Sequence, residues 1–334
     1  MKVRVIDEYF ETNNCKTIVC DIIEPTRDDY RYLAGQYCVL EIEIDNINYK
    51  RCYSFSSNQT NNSNFHFTVK RVKDGIVSNY LIDEEQKGSN LNISKPFGLF
   101  NVHSFSKKSP IVFIAAGSGI TPIYSMINSL IMDKGVDIKL IYFNKSDDET
   151  IYRDSLKKIN REYENICVDM FNSTSDASDT KKGRLNNKLI TESCPYISTS
   201  QVGICGPEGF IEKAESIVRM LGVAENNIHI ERFSQAIDSI PLSEDANMVE
   251  VEFLCSGEKF TAKQGFTLLD ISKKHGIEIR NECQVGSCGE CKVKLEGGLV
   301  NCEHIGGLNP IDEANGFILS CCSTIESDVK IRRF

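Results

Sequence analysis

Long apolar runs are missing from this 334-residue sequence, which has no stretch near the roughly 18 consecutive apolar residues that a membrane-spanning helix needs. The segment at its start, Met-Lys-Val-Arg-Val-Ile-Asp-Glu, also lacks the apolar region of a signal peptide. Basic residues are in the minority, because 38 Lys and Arg stand against 47 Asp and Glu and give a formal net charge of −9. These absences predict a cytoplasmic protein with neither a membrane nor a nucleic acid as partner.

Internal repeats and long low-complexity segments are also absent, and the length indicates two or three domains. Segments at 15–23, 37–44, 65–72 and 90–93 are β-branched or alternating and predict a small antiparallel barrel. After Pro110, apolar strand-like segments alternate with helical ones, which is typical of a parallel α/β sheet. We predict four parts: a barrel over 1–105, an α/β domain over 106–237, a polar linker over 238–248 and a further domain over 249–334.

Four cysteines near the C-terminus carry the strongest signal. Cys283, Cys288 and Cys291 form a Cys-x4-Cys-x2-Cys segment, and Cys321 follows after 29 intervening residues. This is the plant-type spacing for a two-iron, two-sulfur cluster, in which each iron takes two thiolates. Zinc sites usually show a second Cys-x2-Cys pair, which is missing here, and the predicted cytoplasmic location argues against disulfides. The spacing therefore predicts a [2Fe–2S] cluster that carries single electrons.

The last ligand has two candidates, because Cys321 and Cys322 are adjacent. Leu319-Ser320-Cys321 resembles the Leu-Thr-Cys segment of plant-type ferredoxins, and this resemblance implies Cys321 as the ligand. It also implies an α+β fold of the β-grasp type for the last domain. We predict that the other cysteines, including Cys302 and Cys322, are free buried thiols.

A flavin motif is suggested by Arg51-Cys-Tyr53-Ser54-Phe55, at the end of a predicted barrel strand. An arginine can neutralise a flavin phosphate, a tyrosine can pack beside the ring or ribityl chain, and a serine hydroxyl can bond the reactive N5 edge. In isolation, such residues are more often ordinary surface side chains. The segment resembles the Arg-x-Tyr-Ser signature of the ferredoxin-reductase family, which implies that Arg51, Tyr53, Ser54 and Phe55 bind flavin.

The next motif begins with a glycine turn after the strand that contains Val69 and Lys70. Backbone amides at a helix start, with a serine hydroxyl beside them, suit a pyrophosphate, although an ordinary capped helix has the same pattern. Gly-x-x-Ser-x-x-Leu resembles the family's arrangement at this position and implies more cofactor-binding residues: Val69, Lys70, Gly75, Ile76, Val77 and Ser78. Downstream, Pro96-Phe-Gly98-Leu-Phe100 resembles the turn of family members that bind FAD, so FAD is favoured over FMN.

A third motif pairs a glycine turn with a later Cys-Gly-Pro segment. Pro122 stands where a Rossmann fingerprint has its third glycine, so the turn resembles instead the Gly-x-Gly-x-x-Pro turn of the ferredoxin-reductase nicotinamide domain. The resemblance implies that nicotinamide dinucleotide binds at Gly117, Ser118, Gly119, Thr121, Pro122, Cys205, Gly206, Pro207 and Glu208. Ser54 and Cys205 are the predicted catalytic residues, although a lone cysteine is usually a buried hydrophobe. Phe233, in Glu231-Arg-Phe233, is predicted to cover one flavin face.

Taken in order, the motifs resemble an NAD(P)H-dependent flavin oxidoreductase with a C-terminal plant-type ferredoxin domain. A flavin is needed because hydride carries two electrons and the cluster accepts one. The acidic run Asp147-Asp148-Glu149 would repel an adenosine 2′-phosphate, although Lys145 could attract it, so NADH is favoured over NADPH.

The protein acceptor stays open between two family resemblances. The FAD-type turn favours a reductase of hybrid-cluster protein, and the alternative is the reductase component of a Rieske-type oxygenase or demethylase. Two readings from other classes are an iron–sulfur redox sensor and a structural zinc module.

Overall fold

The computed structural model describes residues 1–24, 30–58, 64–133, 135–174, 180–233, 247–304 and 306–333. The chain forms two compact units, Met1–Phe233 and Ser234–Phe334. Most of the predicted linker 238–248 lies outside the described residues, and its last residue, Met248, begins a strand. None of the helices that the structure describes has both the length and the apolar composition needed to cross a bilayer.

The first part of the larger unit is a six-stranded antiparallel sheet, as predicted, with strand order β4-β3-β6-β1-β2-β5. An isolated bridge pairs Phe55, the residue after the edge strand β4, with Phe67 of the other edge strand, β5. The strand β1 was not among the predicted segments, and β4 was predicted only through the motif at its end. The elements are β1 (Lys2–Thr12), β2 (Cys15–Glu24), β3 (Tyr37–Ile44), β4 (Ile47–Ser54), β5 (Phe65–Lys70), α1 (Ile76–Asp83) and β6 (Asn90–Ile93).

A six-stranded parallel sheet follows, which confirms the predicted α/β domain; its order is β10-β9-β8-β7-β11-β12. The central β7 is fully buried because its alternate side chains enter hydrophobic cores on both faces. The order reverses at β7, and open α/β sheets bind ligands at the carboxyl ends of strands at such a point. The elements are β7 (Ile111–Ala116), α2 (Ile120–Leu130), β8 (Ile138–Asn144), α3 (Arg153–Glu162), β9 (Ile166–Asn172), β10 (Lys181–Lys182), α4 (Asn187–Ser193), β11 (Gln201–Gly206), α5 (Glu208–Met220) and β12 (Ile228–Arg232).

Buried polar contacts join the barrel to this α/β sheet within the larger unit. The Tyr152 hydroxyl lies 2.5 Å from Thr68 Oγ1, and that oxygen also lies 2.7 Å from Thr17 Oγ1. The Ser125 hydroxyl of α2 donates to the Ser57 carbonyl at 2.5 Å. Tyr152 has a left-handed backbone with φ 58°, and its ring stacks on Tyr124 at 4.1 Å. The surroundings therefore hold Tyr152 in a conformation that a bulky residue rarely adopts.

The smaller unit has a five-stranded mixed sheet, order β14-β13-β19-β15-β17, and a separate β16–β18 ladder. Strands β13 and β19 are parallel, and α6 contributes buried side chains to the core with them, which is the predicted α+β architecture. Thr267 begins α6 as its N-cap, because its hydroxyl accepts the Asp270 amide. The elements are β13 (Met248–Phe253), β14 (Glu258–Lys263), α6 (Leu268–Lys274), β15 (Lys292–Gly297), β16 (Val300–Cys302), α7 (Pro310–Ala314), β17 (Phe317–Leu319), β18 (Ser323–Ile325) and β19 (Val329–Arg332).

Candidate functional site

The predicted flavin motif lies on β4, which ends at Ser54. Ser54 Oγ is buried and has no hydrogen-bond partner among the residues that the structure describes. An unpaired buried hydroxyl is costly, so this atom fits a site that a cofactor completes. Tyr53 stacks on Phe67 at 5.4 Å between ring centroids, and burial raises the pKa of its phenol. Arg51 also lies on β4, where its guanidinium donates to the Lys50 carbonyl at 2.9 Å.

The second predicted motif forms the turn between β5 and α1. Ser78 Oγ accepts the Val72 amide at 3.2 Å and lies 3.4 Å from the Gly75 carbonyl, so its hydroxyl closes this turn. Ile76 is exposed at the helix start, whereas Val77 is buried. The turn therefore ends at the start of a helix, as in an anion site, and the Ser78 hydroxyl holds the turn together.

The nicotinamide motif brings two distant segments together. Gly119, after β7, packs against the end of β11 so closely that a Cβ there would lie 2.6 Å from Gly206 N and closer still to the Cys205 carbonyl. The first glycine of the turn, Gly117, has φ +53°, and the Thr121 hydroxyl donates to the Ser118 carbonyl at 3.0 Å. The turn opens α2 at the carboxyl edge of the sheet, where helix amides can meet a phosphate.

Two more predicted residues border this turn. Lys70 reaches from the barrel to it, since a Cβ on Gly117 would lie 3.3 Å from Lys70 Nζ. Its ammonium is 4.0 Å from the Glu149 carboxylate. The buried Pro122 lies in the first turn of α2. Lys70 and the turn from Gly117 to Pro122 therefore lie together at the carboxyl edge of the parallel sheet.

Beside the turn, Cys205 is paired in register with Glu231 on β12. Burial raises the pKa of the Glu231 carboxyl to about 8, so this group is neutral at pH 7. Burial also raises the pKa of the Cys205 thiol, and Glu231 raises it further when that carboxyl is ionised. Both groups are therefore protonated and uncharged at pH 7.

In the smaller unit, the loop that begins at Cys283 wraps its amides around a sulfur. The N–H groups of Val285, Ser287 and Cys288 all point at Cys283 Sγ at 3.4 Å. The turn depends on Gly286 and Gly289, which have φ +74° and +77°. Amides that point at a sulfur stabilise its thiolate form. The hydrogen bonds of the loop alone therefore fit a metal-bound Cys283.

The four predicted ligands meet in pairs. The Cys283 thiol is hydrogen-bonded to Cys288, and the Cys291 thiol to Cys321; these bonds lower the pKa values of Cys283 and Cys291. Cys321 also contacts Cys283, whereas the thiol of Cys322 contacts Cys302. Within the described ranges, no three His, Cys, Asp or Glu side chains converge on a single ion. The fit to a cluster rests on the two thiol pairs, since each iron takes two thiolates.

Comparison with known proteins agrees with this organisation. Three family models match: the oxidoreductase FAD-binding domain at 4–102, the oxidoreductase NAD-binding domain at 113–216, and the 2Fe-2S iron-sulfur cluster binding domain at 251–326. The glycine betaine monooxygenase reductase subunit of Pseudomonas aeruginosa is 30% identical over 98% of this chain and 94% of that protein. The chain belongs to this family of flavin and iron–sulfur reductases.

Other known proteins are similar to this reductase over most of its length. The ferredoxin reductase component of 3-ketosteroid-9-alpha-monooxygenase from Rhodococcus rhodochrous is 29% identical over 93% of this chain and 90% of that protein. Phthalate dioxygenase reductase has the same fold, with a TM-score of 0.70 at 19% identity, over 100% of this chain and 98% of that one. The reductase is thus an NAD(P)H-dependent flavin and [2Fe–2S] electron-transfer enzyme.

Several predicted residues of the reductase lie away from any open surface. The Phe55 ring is fully buried and stacks on Tyr32 at 4.0 Å, and Val69 is buried in the same core. The Cys205 side chain has no exposed surface, because it points into the core rather than toward the nucleotide edge. Its predicted catalytic role stays a prediction.

The last predicted residues of the reductase flank the nucleotide edge. Pro207 is the N-cap of α5, and the Glu208 carboxylate of that helix is paired with Arg232. Phe233 is 40% exposed at the end of β12, so its ring is accessible to a ligand. Glu231 was missed as a site residue, because its significance comes from the neighbouring strand β11 and has no local sequence signal.

Replacing Glu231 by glutamine is expected to stabilise the reductase by an amount that grows between pH 4.5 and 8. The folded protein keeps this carboxyl protonated up to about pH 8, whereas the unfolded chain releases the proton near 4.5. Since the folded state binds more protons in this window, wild-type stability falls as the pH rises, and an amide does not titrate. The measurement is the difference in urea midpoint between wild type and Glu231→Gln at several pH values. This difference should level off above about pH 8.

Glu212→Gln is the matched control, because Glu212 is an exposed side chain of α5. Its difference from wild type should not follow that pH window. A gap for Glu231→Gln that is the same at every pH would contradict the neutral carboxyl.

Proposed function

We propose that this reductase takes electrons from NADH through FAD and its [2Fe–2S] cluster and delivers them to the terminal component of a Rieske-type oxygenase. The observation that carries the proposal is the near full-length alignment with reductase components whose names assign them to monooxygenases. The expected hybrid-cluster acceptor has no counterpart among these relatives. We therefore favour the second of the two acceptors inferred from the sequence.

The cofactors supply the chemistry, since a flavin accepts hydride and an iron–sulfur cluster carries one electron at a time. The protein's own residues bind and orient them. Ser54 Oγ has no described partner, which supports a hydrogen bond to a polar edge of a flavin, and the turn at Gly117–Gly119 before α2 supports diphosphate binding by its amides. Glu231 holds a proton beside Cys205 without adding a negative charge near the nucleotide. In the smaller unit, the loop amides hold Cys283 in its thiolate form.

FAD is the flavin that we propose, on the basis of the Pro96–Phe100 turn. Gly98 has φ +111°, and its carbonyl accepts Gln36 Nε2 at 3.3 Å. A bridge between Phe97 and Tyr37 anchors the turn to β3, and Leu99 is 81% exposed at its tip. This fixed turn with an exposed apolar tip supports the larger cofactor, whose adenine needs a surface to lie on.

The acceptor is tested by presenting the purified reductase with two protein acceptors, a Rieske-type oxygenase component and a hybrid-cluster protein. We expect NADH-driven reduction of the oxygenase with the higher kcat/KM, and chromatography of the flavin released from the same preparation should show FAD. A higher kcat/KM for hybrid-cluster protein would refute the acceptor assignment. Slow NADH oxidation with every acceptor, artificial ones included, would favour a redox sensor instead.

NADH is the nucleotide that we propose, because of the acidic run after β8. Asp147 is held by Asn172 Nδ2 and Thr180 Oγ1, both at 2.6 Å, and by Arg153 at 3.1 Å. Its carboxylate therefore stabilises the local fold, and Asp148 and Glu149 are left to oppose a 2′-phosphate by charge repulsion.

Wild-type reductase is expected to show a higher kcat/KM for NADH than for NADPH. Asp148→Asn combined with Glu149→Gln should raise kcat/KM for NADPH several-fold. The exposed Asp148 and the half-buried Glu149, which lies 4.0 Å from Lys70 Nζ, each contribute up to about 1 kcal/mol of charge repulsion. Asp154→Asn, in the first turn of α3, is the control and should leave the ratio unchanged. A wild-type preference for NADPH would contradict the assignment.

A further inference from the structure

The turn Gly117–Gly119 is held in place by a side chain of the neighbouring strand, β8. The Tyr142 hydroxyl donates a hydrogen bond to the Gly117 carbonyl at 2.9 Å. Tyr142 is the register partner of Ala115, two residues before the turn, and its side chain is fully buried in the core that also contains side chains of α2. The Gly117 carbonyl therefore faces the protein interior.

A carbonyl held in this way fixes the direction of the amide that follows it. The Gly117 carbonyl and the Ser118 N–H belong to one planar trans peptide unit, in which the two groups point in opposite directions. This carbonyl accepts hydrogen bonds from the Tyr142 hydroxyl and from the Ile120 amide. The Ser118 N–H therefore points away from Tyr142 and from the buried core.

This peptide unit needs an outside restraint, because Gly117 restricts its rotation least. Gly117 has no Cβ and lies at φ +53°, where glycine has wide conformational freedom. The next carbonyl, that of Ser118, accepts the Thr121 hydroxyl at 3.0 Å. Side-chain hydroxyls of β8 and α2 thus hold two successive carbonyls of the turn. Burial raises the pKa of the Tyr142 phenol, so this hydroxyl keeps its proton and remains a donor.

We propose that Tyr142 is a positioning residue for NAD(P)H, whose hydroxyl orients the Ser118 amide toward the diphosphate of the bound nucleotide. This role rests on the proposed function, in which the diphosphate binds at the turn. Tyr142 does not touch the nucleotide itself, because its side chain has no exposed surface. Loss of the hydroxyl should therefore weaken binding of a phosphate-bearing donor and leave hydride transfer within the bound complex unchanged.

Tyr142→Phe removes only the hydroxyl, and stopped-flow bleaching of the flavin in the full-length holoprotein measures the effect. We expect the apparent Kd for NADH to rise about 10-fold, because the amide loses its hydrogen bond to a charged group. The limiting rate at saturating NADH should not change. Reduced nicotinamide riboside is a hydride donor without a phosphate and should reduce the variant at the wild-type rate. Ser118→Pro removes the amide itself and should show the same pattern.

Tyr163→Phe is the matched control. Tyr163 is the C-cap residue of α3 and packs against the same core, so this variant should match wild type with both donors. An unchanged Kd for NADH in Tyr142→Phe would overturn the proposal. An equal loss with reduced nicotinamide riboside would also overturn it, because the hydroxyl would then support the whole site rather than the diphosphate contact. If NADH leaves the wild-type flavin oxidised, the proposed function is wrong as well, so wild type alone distinguishes the two failures.

Discussion

Cys291→Ser is expected to abolish electron delivery to the protein acceptor while NADH still reduces the flavin. Cys291 is buried, and its thiol forms one of the two pairs with Cys321. A serine oxygen is a harder ligand and shorter than a thiolate, so it suits iron–sulfur coordination poorly. We expect acceptor reduction to fall by at least about 100-fold, at the upper end of losses for weakened metal sites. The flavin and nicotinamide residues lie in the other compact unit and should be unaffected.

Stopped-flow absorption separates the two steps, because flavin bleaching by NADH and acceptor reduction are followed in one experiment. Cys255→Ser provides the control, since it removes a thiol from the same unit without touching a pair. Acceptor reduction at the wild-type rate in Cys291→Ser would show that electrons leave the flavin by another route. Slower flavin bleaching would instead show that the two units are coupled in folding.

Gly119→Ala is expected to slow hydride transfer at least about 10-fold and to destabilise the larger unit. The new Cβ would overlap the Cys205 carbonyl and the Gly206 amide, which are backbone atoms held in the β11 ladder with β7 and β12. Because its two ladders hold β11 in place, moving this strand costs free energy. Overpacking of this kind destabilises a protein by about 1 to 3 kcal/mol. The turn must shift instead, and a displacement of about 1 Å near a reacting centre can cost 100-fold in rate.

Gly209→Ala is the matched control for this substitution. Gly209 lies in the first turn of α5, and apart from its chain neighbours and the backbone of its own helix no described heavy atom is within 4 Å of the position of its added Cβ. Alanine is the better helix former, so this change should preserve stability or raise it by up to about 1 kcal/mol. Flavin reduction rates and thermal unfolding of both variants make the comparison. Equal behaviour of the two alanine variants would mean that the approach of β7 to β11 does not limit the site.

The parts of the fold that the sequence predicts are those with local patterns. The β-branched segment at β2 and the buried run at β7 are visible without any partner. The strand β1 was not predicted, although Lys2 to Val5 alternate between exposed and buried side chains. The strand β12 has no alternation, because all five of its side chains are half-buried. Glu231 was missed for the same reason, as its raised pKa comes from burial on β12.

The candidate site shows where motif reasoning reaches its limit. Spacing predicted Cys205 at the end of a strand, but spacing does not give the direction of a side chain, and the thiol is buried in a hydrophobic core. The choice between Cys321 and Cys322 was open from the residues alone, and a resemblance favoured Cys321. In the structure, a difference in side-chain direction between two adjacent residues puts one sulfur near the predicted ligands and the other near Cys302.

The buried contact between Tyr152 and Thr68 has a consequence for modular exchange. The domains of such a reductase suggest exchangeable modules, so that the nicotinamide domain could be replaced to change the nucleotide preference. Here Tyr152 of the α/β domain, which has a strained left-handed backbone, is hydrogen-bonded to Thr68 of the barrel. A chimera made at the boundary between these two domains would separate the two residues. A successful transplant would have to carry both residues, so the smallest interchangeable cassette is the whole of Met1–Phe233.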